Sequence, residues 1–519
     1  MVLSSGIFRC NMSNMTRINA QRVRSFLHAG GLAVGVAFFY TIALPAPLLG
    51  ATYYIDSAGG ADTNNGTSTN SPWKHVKGMM GCANVCSSTT LAGGDKVIFK
   101  GGVTWTSSFP WTIVGGSSSN ITYTTDHSWY AGSSWSQPVF DDGNANPGAT
   151  GMANMSGTGF VTLNDFTWTK CGVQGVPDMS NKCLVFENTH DITITNSAFT
   201  TYAWISIYFL LDSAGTYSNF TVTGNDFSGT SGAIWMASAQ PSTVAANFIY
   251  NNNVFHDFSS QIGNGTHGDG SLHYFSTHTS GEYLDGFQFI SNRFYGDFRR
   301  SAGSDGAMTG MIYLEGAVKN GVIANNDMSF SPVQASMFQG LIVLSTGCAT
   351  TGCGVGIYNN TLVNIGTNAM SDGIDLFYYP NVTVKNNIVY GMQYPTYVQD
   401  STSTTGYSSD YNLYSGTSGE LIYGGSFQSY ATWQAGGRDV HGSLGTTPSF
   451  VSAPGNERLN AGSAGIGLGT NLTSLGIAAL NVDLAGVARP ATGAWDVGAF
   501  QFTSTSTPNP PSALTVIVQ

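Results

Sequence analysis

The sequence predicts an all-β solenoid, one chain of short strands wound into a parallel β-helix, and three observations predict it. The first is a repeated phrase of β-branched strand, Asn-rich turn and bulky apolar residue. It reads Asn164-Asp165-Phe166, Asn225-Asp226-Phe227, Asn253-Val254-Phe255, Asn292-Arg293-Phe294, Asn326-Asp327-Met328, Asn360-Thr361-Leu362 and Asn387-Ile388-Val389. Ile194-Thr195-Asn196-Ser197-Ala198-Phe199 is a variant with one more residue. From Asn225 onward the phrase returns every 27 to 39 residues by its own numbering, and a repeat with insertions of variable length marks a solenoid whose coils carry loops. The second observation is alternation inside the repeats, as in Asp191-Ile192-Thr193-Ile194-Thr195 and Asn381-Val382-Thr383-Val384-Lys385. A period of two gives each strand one inward and one outward face. The third is the single orientation of the Asn phrase together with a scarcity of two-residue Asn-Gly or Asp-Gly hairpin turns. Both weigh against an antiparallel sandwich or propeller. In a parallel helix the repeated Asn residues stack coil upon coil as a hydrogen-bonded ladder.

Composition agrees. The chain has 519 residues, 66 of them Gly, and only 9% charged, which suits strands and turns more than helices. The formal charge is −11, and the four basic residues before Thr52 (Arg9, Arg17, Arg22, Arg24) have no acidic counterpart there. The remainder is therefore more acidic still. That excludes nucleic acid as a partner, which needs a basic footprint.

Taken in order, residues 17–29 are basic and polar, Gly30 to Leu49 is apolar, and Leu49-Gly50-Ala51 is small. Residues 1–51 read as a secretory signal, with an uncleaved anchor as the alternative. Pro45, Pro47 and the small residues favour cleavage. No later stretch is long and apolar enough to span a bilayer, so the expectation is a secreted or cell-surface protein without stable membrane insertion. Six cysteines remain in close pairs, Cys82 with Cys86, Cys171 with Cys183 and Cys348 with Cys353. An even set in an exported chain reads as disulfides; a metal site is the competitor, but no His stands at ligand spacing beside any pair.

Residues 52–118 read as an N-terminal cap with the first strands. They contain Thr52-Tyr53-Tyr54-Ile55-Asp56, Ser71-Pro72-Trp73-Lys74 and Gly94-Asp95-Lys96-Val97-Ile98-Phe99-Lys100-Gly101-Gly102. Asp62-x-Asn64-x-Gly66 has the oxygen spacing of a calcium loop and equally that of an Asx turn, the commoner use. Residues 119–447 hold the coils. Residues 448–502 close them with Leu459-Asn460-Ala461-Gly462-Ser463-Ala464-Gly465, Asp483-Leu484-Ala485-Gly486-Val487-Ala488-Arg489-Pro490 and Trp495-Asp496-Val497-Gly498-Ala499-Phe500. Residues 503–519 have the composition of a linker and tail. On these opening and closing segments the chain resembles secreted proteins of the pectin-lyase-like superfamily. The resemblance covers most of residues 52–502 and implies a right-handed parallel β-helix. It implies no single activity, because that superfamily includes lyases, hydrolases, epimerases, phage tail proteins and adhesins.

The chemistry concentrates in one repeat. His256, Asp257, His267, Asp269, His273 and His278 fall together, followed by Arg299, Arg300 and Asp305. Three repeats enter a strand through Asp-Gly: Asp269-Gly270, Asp305-Gly306 and Asp372-Gly373. If Leu272, Ile312 and Ile374 point inward, His273, Tyr313 and Asp375 form one outward column, and Phe275, Glu315 and Phe377 the next. A one-residue slip inverts that assignment. Aromatics mixed with ionisable groups suit a glycan, with flat surface for rings and polar groups for acid–base work.

Two reactions fit. For β-elimination on a uronic-acid polymer, His267 or His273 serves as base, Arg299 or Arg300 neutralises the substrate carboxylate, and Asp257 or Asp269 holds calcium or orients a His. For glycoside hydrolysis, two carboxylates flank the bond, from Asp269, Asp305, Glu315, Asp372 and Asp375. Elimination is the first expectation, hydrolysis the second, and a non-catalytic glycan-binding solenoid the third. Asp372-Gly373-Ile374-Asp375 with Asn381-Val382-Thr383 also resembles part of the polygalacturonase signature, but that family's paired Asp and Gly-His-Gly are absent. So is the Asp-Pro-His of alginate epimerases.

Overall fold

The computed structural model describes residues 50–106, 109–145, 148–172, 180–258, 270–275, 281–296, 310–330, 340–346, 353–365, 370–416 and 421–503, without the side chains of Phe275, Met370 and Ser371. The expected signal and tail, and with them Cys348, His267, Asp269, Arg299, Arg300 and Asp305, lie outside the described residues.

The period-two segments become strands of three long parallel sheets. Each coil visits them in turn. Gly159–Asn164 lies in the first sheet, Thr167–Thr169 in the second and Lys182–Glu187 in the third. His190–Thr195 then returns to the first and pairs in parallel with Gly159–Asn164. The first sheet runs from Thr52–Ile55 to Ser408–Asp410 and the second from Thr104–Trp105 to Ser443–Leu444. The third runs from Trp111–Thr112 to Leu421–Tyr423, with an antiparallel edge strand Ser426–Gln428. This is the predicted parallel β-helix.

The Asn phrase builds the corner between the first and second sheets. Asn225, Asn253, Asn292, Asn326, Asn360, Asn387 and Asn412 are all buried. Asn326 shows the rule. Its Nδ2 donates to Phe289 O at 2.9 Å and to Asn360 Oδ1 at 2.9 Å, while its Oδ1 accepts from Asn292 N at 2.9 Å and Asn292 Nδ2 at 3.0 Å. The ladder starts at Ser197 N, which donates to Asn225 Oδ1, and ends at Asp439 Oδ1, which accepts from Asn412 N and Nδ2. The turn needs a left-handed residue just before each rung. Asn252, Asn325, Asn359 and Asn386 supply it with φ between 53° and 60°, because Asn tolerates that conformation better than most residues. Asn164, expected in the ladder, is not in it. The register Asn164↔Thr195↔Thr223 puts Phe166 at the ladder position, two residues out of frame with the later copies. Asn164 bonds Thr124, Thr195 and Asn196 instead.

Inside, the rings at one register position of the second sheet stack coil on coil. Trp168, Phe199, Phe227, Phe255 and Phe294 form a continuous pile, the closest pair being Phe255–Phe294 with centroids 4.4 Å apart. Burying such rings adds cohesion between coils. At the start, Tyr53 stacks on the buried Trp73, and Asp62 spends its carboxylate on Lys74 N, His75 N and the His75 ring. At the other end, the helix Tyr430–Ala435 puts Trp433 over the core. Disulfides join Cys82 to Cys86 and Cys171 to Cys183.

Residues 448–503 double back along the ladder corner. Leu472, Leu480 and Trp495 pack on Ile290, Ala324 and Tyr358, and Leu459 and Val497 on Ile388 and Leu413. Two of the left-handed Asn residues, Asn325 and Asn386, grip this segment. Asn325 Nδ2 donates to Ala479 O and Val482 O, and Asn386 Nδ2 to Thr470 O. Arg293 Nη2 reaches Gly455 O at 2.9 Å, two coils before Asn360. The closing segment is thus a clamp across several coils. Among the described residues no helix is long and apolar enough to cross a membrane.

Candidate functional site

The third sheet decides where the candidate residues point. Its register aligns Met236, His273, Leu314, Leu344, Leu376 and Val398 in one column, and Trp235, Leu272, Tyr313, Val343, Asp375 and Tyr397 in the next. The first column belongs to the core. Trp235, Leu272, Tyr313 and Val343 form a separate apolar cluster on the outer face.

His273 therefore faces inward, contrary to the expected outward column. Ser271, not Leu272, occupies the place of Ile312 and Ile374, and Leu272 packs outside instead. An expectation that follows hydrophobicity slips by one residue where a Ser points in and a Leu points out. The His273 ring is fully buried among Phe287, Phe248 and Tyr250, with centroids 5.0, 5.2 and 5.5 Å away. Burial pushes its pKa down to about 3, so it is neutral, and its direction into the core rings turns it away from the outer face. The same slip makes Tyr274, not Phe275, the partner of Glu315. Tyr313 with Asp375, and Glu315 with Phe377, do share columns as expected.

Asp372 and Asp375 come together on this outer face. A β-carbon built on Gly340 would stand 3.3 Å from Asp375 Cβ and 3.5 Å from Asp372 Cβ, so glycine keeps a slot clear between the two. Asp375 is fully buried and accepts a 2.6 Å hydrogen bond from Gln399 Nε2. Asp372 is 3% exposed, and among the described residues nothing donates a hydrogen bond to its Oδ1. Burial first, and then the charge of Asp375, push the Asp372 carboxyl up to about 8. Near neutral pH Asp372 thus keeps its proton, beside an Asp375 held by Gln399.

The next coil places Tyr394 in register with Asp372 and Tyr397 with Asp375. Tyr394 lies 5.4 Å from Tyr397 and 6.0 Å from Phe427 by ring centroids, and Phe427 is 63% exposed. Gln393 Nε2 donates to the Tyr394 hydroxyl at 2.9 Å. Glu315 lies in the adjacent outward column, two coils before Asp375, within 3.4 Å of Thr346 Oγ1.

His256 and Asp257 are on another face. His256 Nε2 meets Asp226 Oδ1 at 2.9 Å and Nδ1 meets Asp257 Oδ2 at 2.7 Å, with Tyr295 stacked at 5.2 Å. Burial alone would lower this imidazole, but the bonds to Asp226 and Asp257 and their charges outweigh it and raise it to about 9. His256 is a fixed cation on the second sheet, not a base. Among the described residues no group of three or more His, Cys, Asp or Glu is placed to hold a metal ion. A depression of about 470 Å³ lies on the N-terminal cap among Lys77, Met79, Met80, Cys82 and Pro110, and no carboxylate lines it.

Tyr394, Tyr397, Phe427 and Gln399 were not among the residues expected from sequence. The alternating Tyr394-Pro395-Thr396-Tyr397, one repeat beyond Asp372-Gly373-Ile374-Asp375, was the available signal.

No protein-family model matches the chain, and no curated protein matches it either. Among solved structures, the crystal structure of a GH136 lacto-N-biosidase from Eubacterium ramulus, as its selenomethionine derivative, is 12% identical with a TM-score of 0.41. The native form of that protein is 11% identical with a TM-score of 0.37. In each case the match covers 71% of this chain and spans 63% of the other. So distant a likeness carries no argument about activity or substrate.

Proposed function

We propose that this chain hydrolyses glycosidic bonds, with Asp372 as the acid and Asp375 as its anionic partner. The observation that carries the reading is one buried carboxyl pushed up to about 8 beside a second carboxylate on the same outer face. Asp372 gives its proton to the glycosidic oxygen as the carbon–oxygen bond breaks, so the leaving sugar departs as a neutral alcohol. Asp375 faces the positive charge that develops at the ring, as nucleophile or as base toward water; the anomer first released, read by NMR, tells which. Gln399 fixes the orientation of Asp375 by donating to Oδ1.

Elimination has less support than the sequence suggested. It needs a base at the sugar's acidic carbon and a cation at its carboxylate. His273 is enclosed in the core. The described outward columns from Trp235 to Tyr397 and from Ala237 to Phe377 contain no His, Lys or Arg. Two disulfides favour an oxidising compartment and hence an exported protein.

The test screens polysaccharides and oligosaccharides for new reducing ends alongside the ultraviolet absorbance of unsaturated products. Reducing ends without absorbance are expected, with Asp372→Asn and Asp375→Asn each about 10²- to 10⁴-fold slower. Rising absorbance would replace hydrolysis by elimination. Silence in both assays with retained glycan binding would leave a binding solenoid.

A further inference from the structure

We infer that the substrate of this site is a neutral oligosaccharide laid along the solenoid axis, with the sugar beyond the cleaved bond stacked on Tyr394, Tyr397 and Phe427. The inference rests on the hydrolytic reading for the position of the cleaved bond and adds the substrate's direction, charge and contact residues.

Direction follows from register. Asp372 and Tyr394 are partners on adjacent coils, as are Asp375 and Tyr397, and Tyr397 is next paired with Ile422. Phe427 lies opposite Ile422 on the antiparallel edge strand. Successive coils are about 4.8 Å apart, close to the length of one sugar ring. A glycan running down these columns therefore advances about one sugar per coil. The carboxyl pair occupies one strand, Tyr394 and Tyr397 the next, and Phe427 the edge strand two further on.

The two sides of the pair differ. Before it lies Gly340, partner of Asp372, where any side chain would press on Val343 and both aspartates. That slot admits an edge or a hydroxyl close to the backbone. After it lie the rings of Tyr394 and Tyr397 and the largely exposed Phe427. Flat, mostly apolar faces are what the C–H face of a pyranose stacks on.

Charge chooses the class. Asp375 lies beside Asp372 and its charge helps to push the Asp372 carboxyl up, and Glu315, a third carboxyl group, lies two coils away. No cation occurs in the adjoining described columns to offset a uronic carboxylate. An anionic sugar at this point meets like charge in a poorly hydrated place, which opposes binding. The acidic balance of the whole chain, 18 basic against 29 acidic residues, acts in the same direction.

The experiment uses the full-length Asp372→Asn protein, which keeps the side chain's shape and blocks turnover. It is titrated calorimetrically with cellohexaose, xylohexaose, mannohexaose and chitohexaose, and with hexagalacturonate as the acidic comparison. At least one neutral hexasaccharide is expected to bind and hexagalacturonate to bind less tightly. Adding Phe427→Ala or Tyr394→Ala is expected to weaken that binding about 3- to 10-fold, with melting temperatures unchanged at the exposed Phe427. Preferential binding of hexagalacturonate, unchanged affinity in both aromatic variants, or no binding of any neutral hexasaccharide overturns the inference. The two readings fail separately. Wild-type protein that binds through the platform but releases no reducing ends refutes hydrolysis alone. Wild-type protein that cleaves as well after loss of both rings refutes the platform alone.

Discussion

The ladder corner and the outer face of the third sheet use the same chemical group, a side-chain oxygen on a short stem, in opposite ways. At the corner every rung of the Asn ladder has donors and acceptors matched from Ser197 to Asp439. On the outer face Asp372 Oδ1 is buried with no hydrogen bond from the described residues, and its carboxyl holds a proton far above the usual range. Buried polar groups are paired wherever folding alone decides, because an unpaired one costs about 1–3 kcal/mol. Asp372 is not alone among the described residues in departing from that rule, since Asp327 Oδ1 and both amide atoms of Asn359 also lack a partner; what sets it apart is the second carboxyl group, Asp375, beside it on the outer face.

Asp372→Asn gives the largest expected effect and sharpens the contrast most. Activity falls by about 10²- to 10⁴-fold, while stability moves the other way. The folded pKa of about 8 exceeds the unfolded value. The stabilising contribution of Asp372 is therefore full at acid pH and is lost as pH rises toward 8. Asn does not titrate, so the variant should gain melting temperature on the wild type between about pH 4 and 8. The wild-type activity should also decline as pH rises through about 8, when the acid loses its proton. A variant that is both inactive and less stable at pH 8 would place Asp372 among the structural residues.

The corner supplies the converse. Asn326→Ala leaves Phe289 O and the two Asn292 donors without their Asn326 partner and takes one of two donors from Asn360 Oδ1, which keeps the backbone N–H of residue 326. The expected loss is about 4 kcal/mol, read as a lower denaturant midpoint, with the remaining folded fraction fully active. A loss under about 1 kcal/mol would mean that water replaces the rung.

A smaller effect separates the two candidate reactions. His273→Leu puts an apolar side chain into a column that already holds Met236, Leu314 and Leu344, and removes two ring nitrogens that have no partner. Stability should rise by about 1–2 kcal/mol, and turnover should stay at the wild-type level. Loss of turnover without unfolding would restore His273 to the role of base and elimination with it.

Legibility in the sequence follows this division. Strands and corner were readable because both repeat: β-branched alternation marks the strands, and Asn-Asn pairs such as Asn325-Asn326 combine the left-handed residue with the rung. The same pattern extends to Tyr411-Asn412-Leu413, a rung that was not among the phrases read from the sequence. Asp439 as the final acceptor was not readable, since it follows no repeat. Nor was the clamp, whose contacts from Arg293 to Gly455 and from Asn386 to Thr470 link segments of unlike composition. The outer face was half legible. Asp375 with Tyr313 and Glu315 with Phe377 fell into columns correctly, but Leu272 drew His273 outward, because hydrophobicity cannot show that Leu272 packs on Trp235 and Tyr313 outside the sheet.

The smallest effect concerns the second sheet, where ionisable groups cluster without the asymmetry of Asp372 and Asp375. His256 has both ring nitrogens bonded, to Asp226 and Asp257, and its pKa is raised to about 9. A raised imidazole stabilises the fold fully below its unfolded value and loses that contribution as pH climbs through the folded one. The wild type should therefore lose a little stability between about pH 6.5 and 9. Because the Asp257 side chain is more than half exposed, the change should stay below about 1 kcal/mol and shrink in salt. Asp226→Asn removes one of the two carboxylates that hold the proton. It should flatten that part of the stability curve and leave glycan cleavage untouched, since the cluster faces away from Asp372. If Asp226→Asn abolished cleavage instead, the functional face would be the second sheet, and the pairing of Asp372 with Asp375 would be a structural accident of burial.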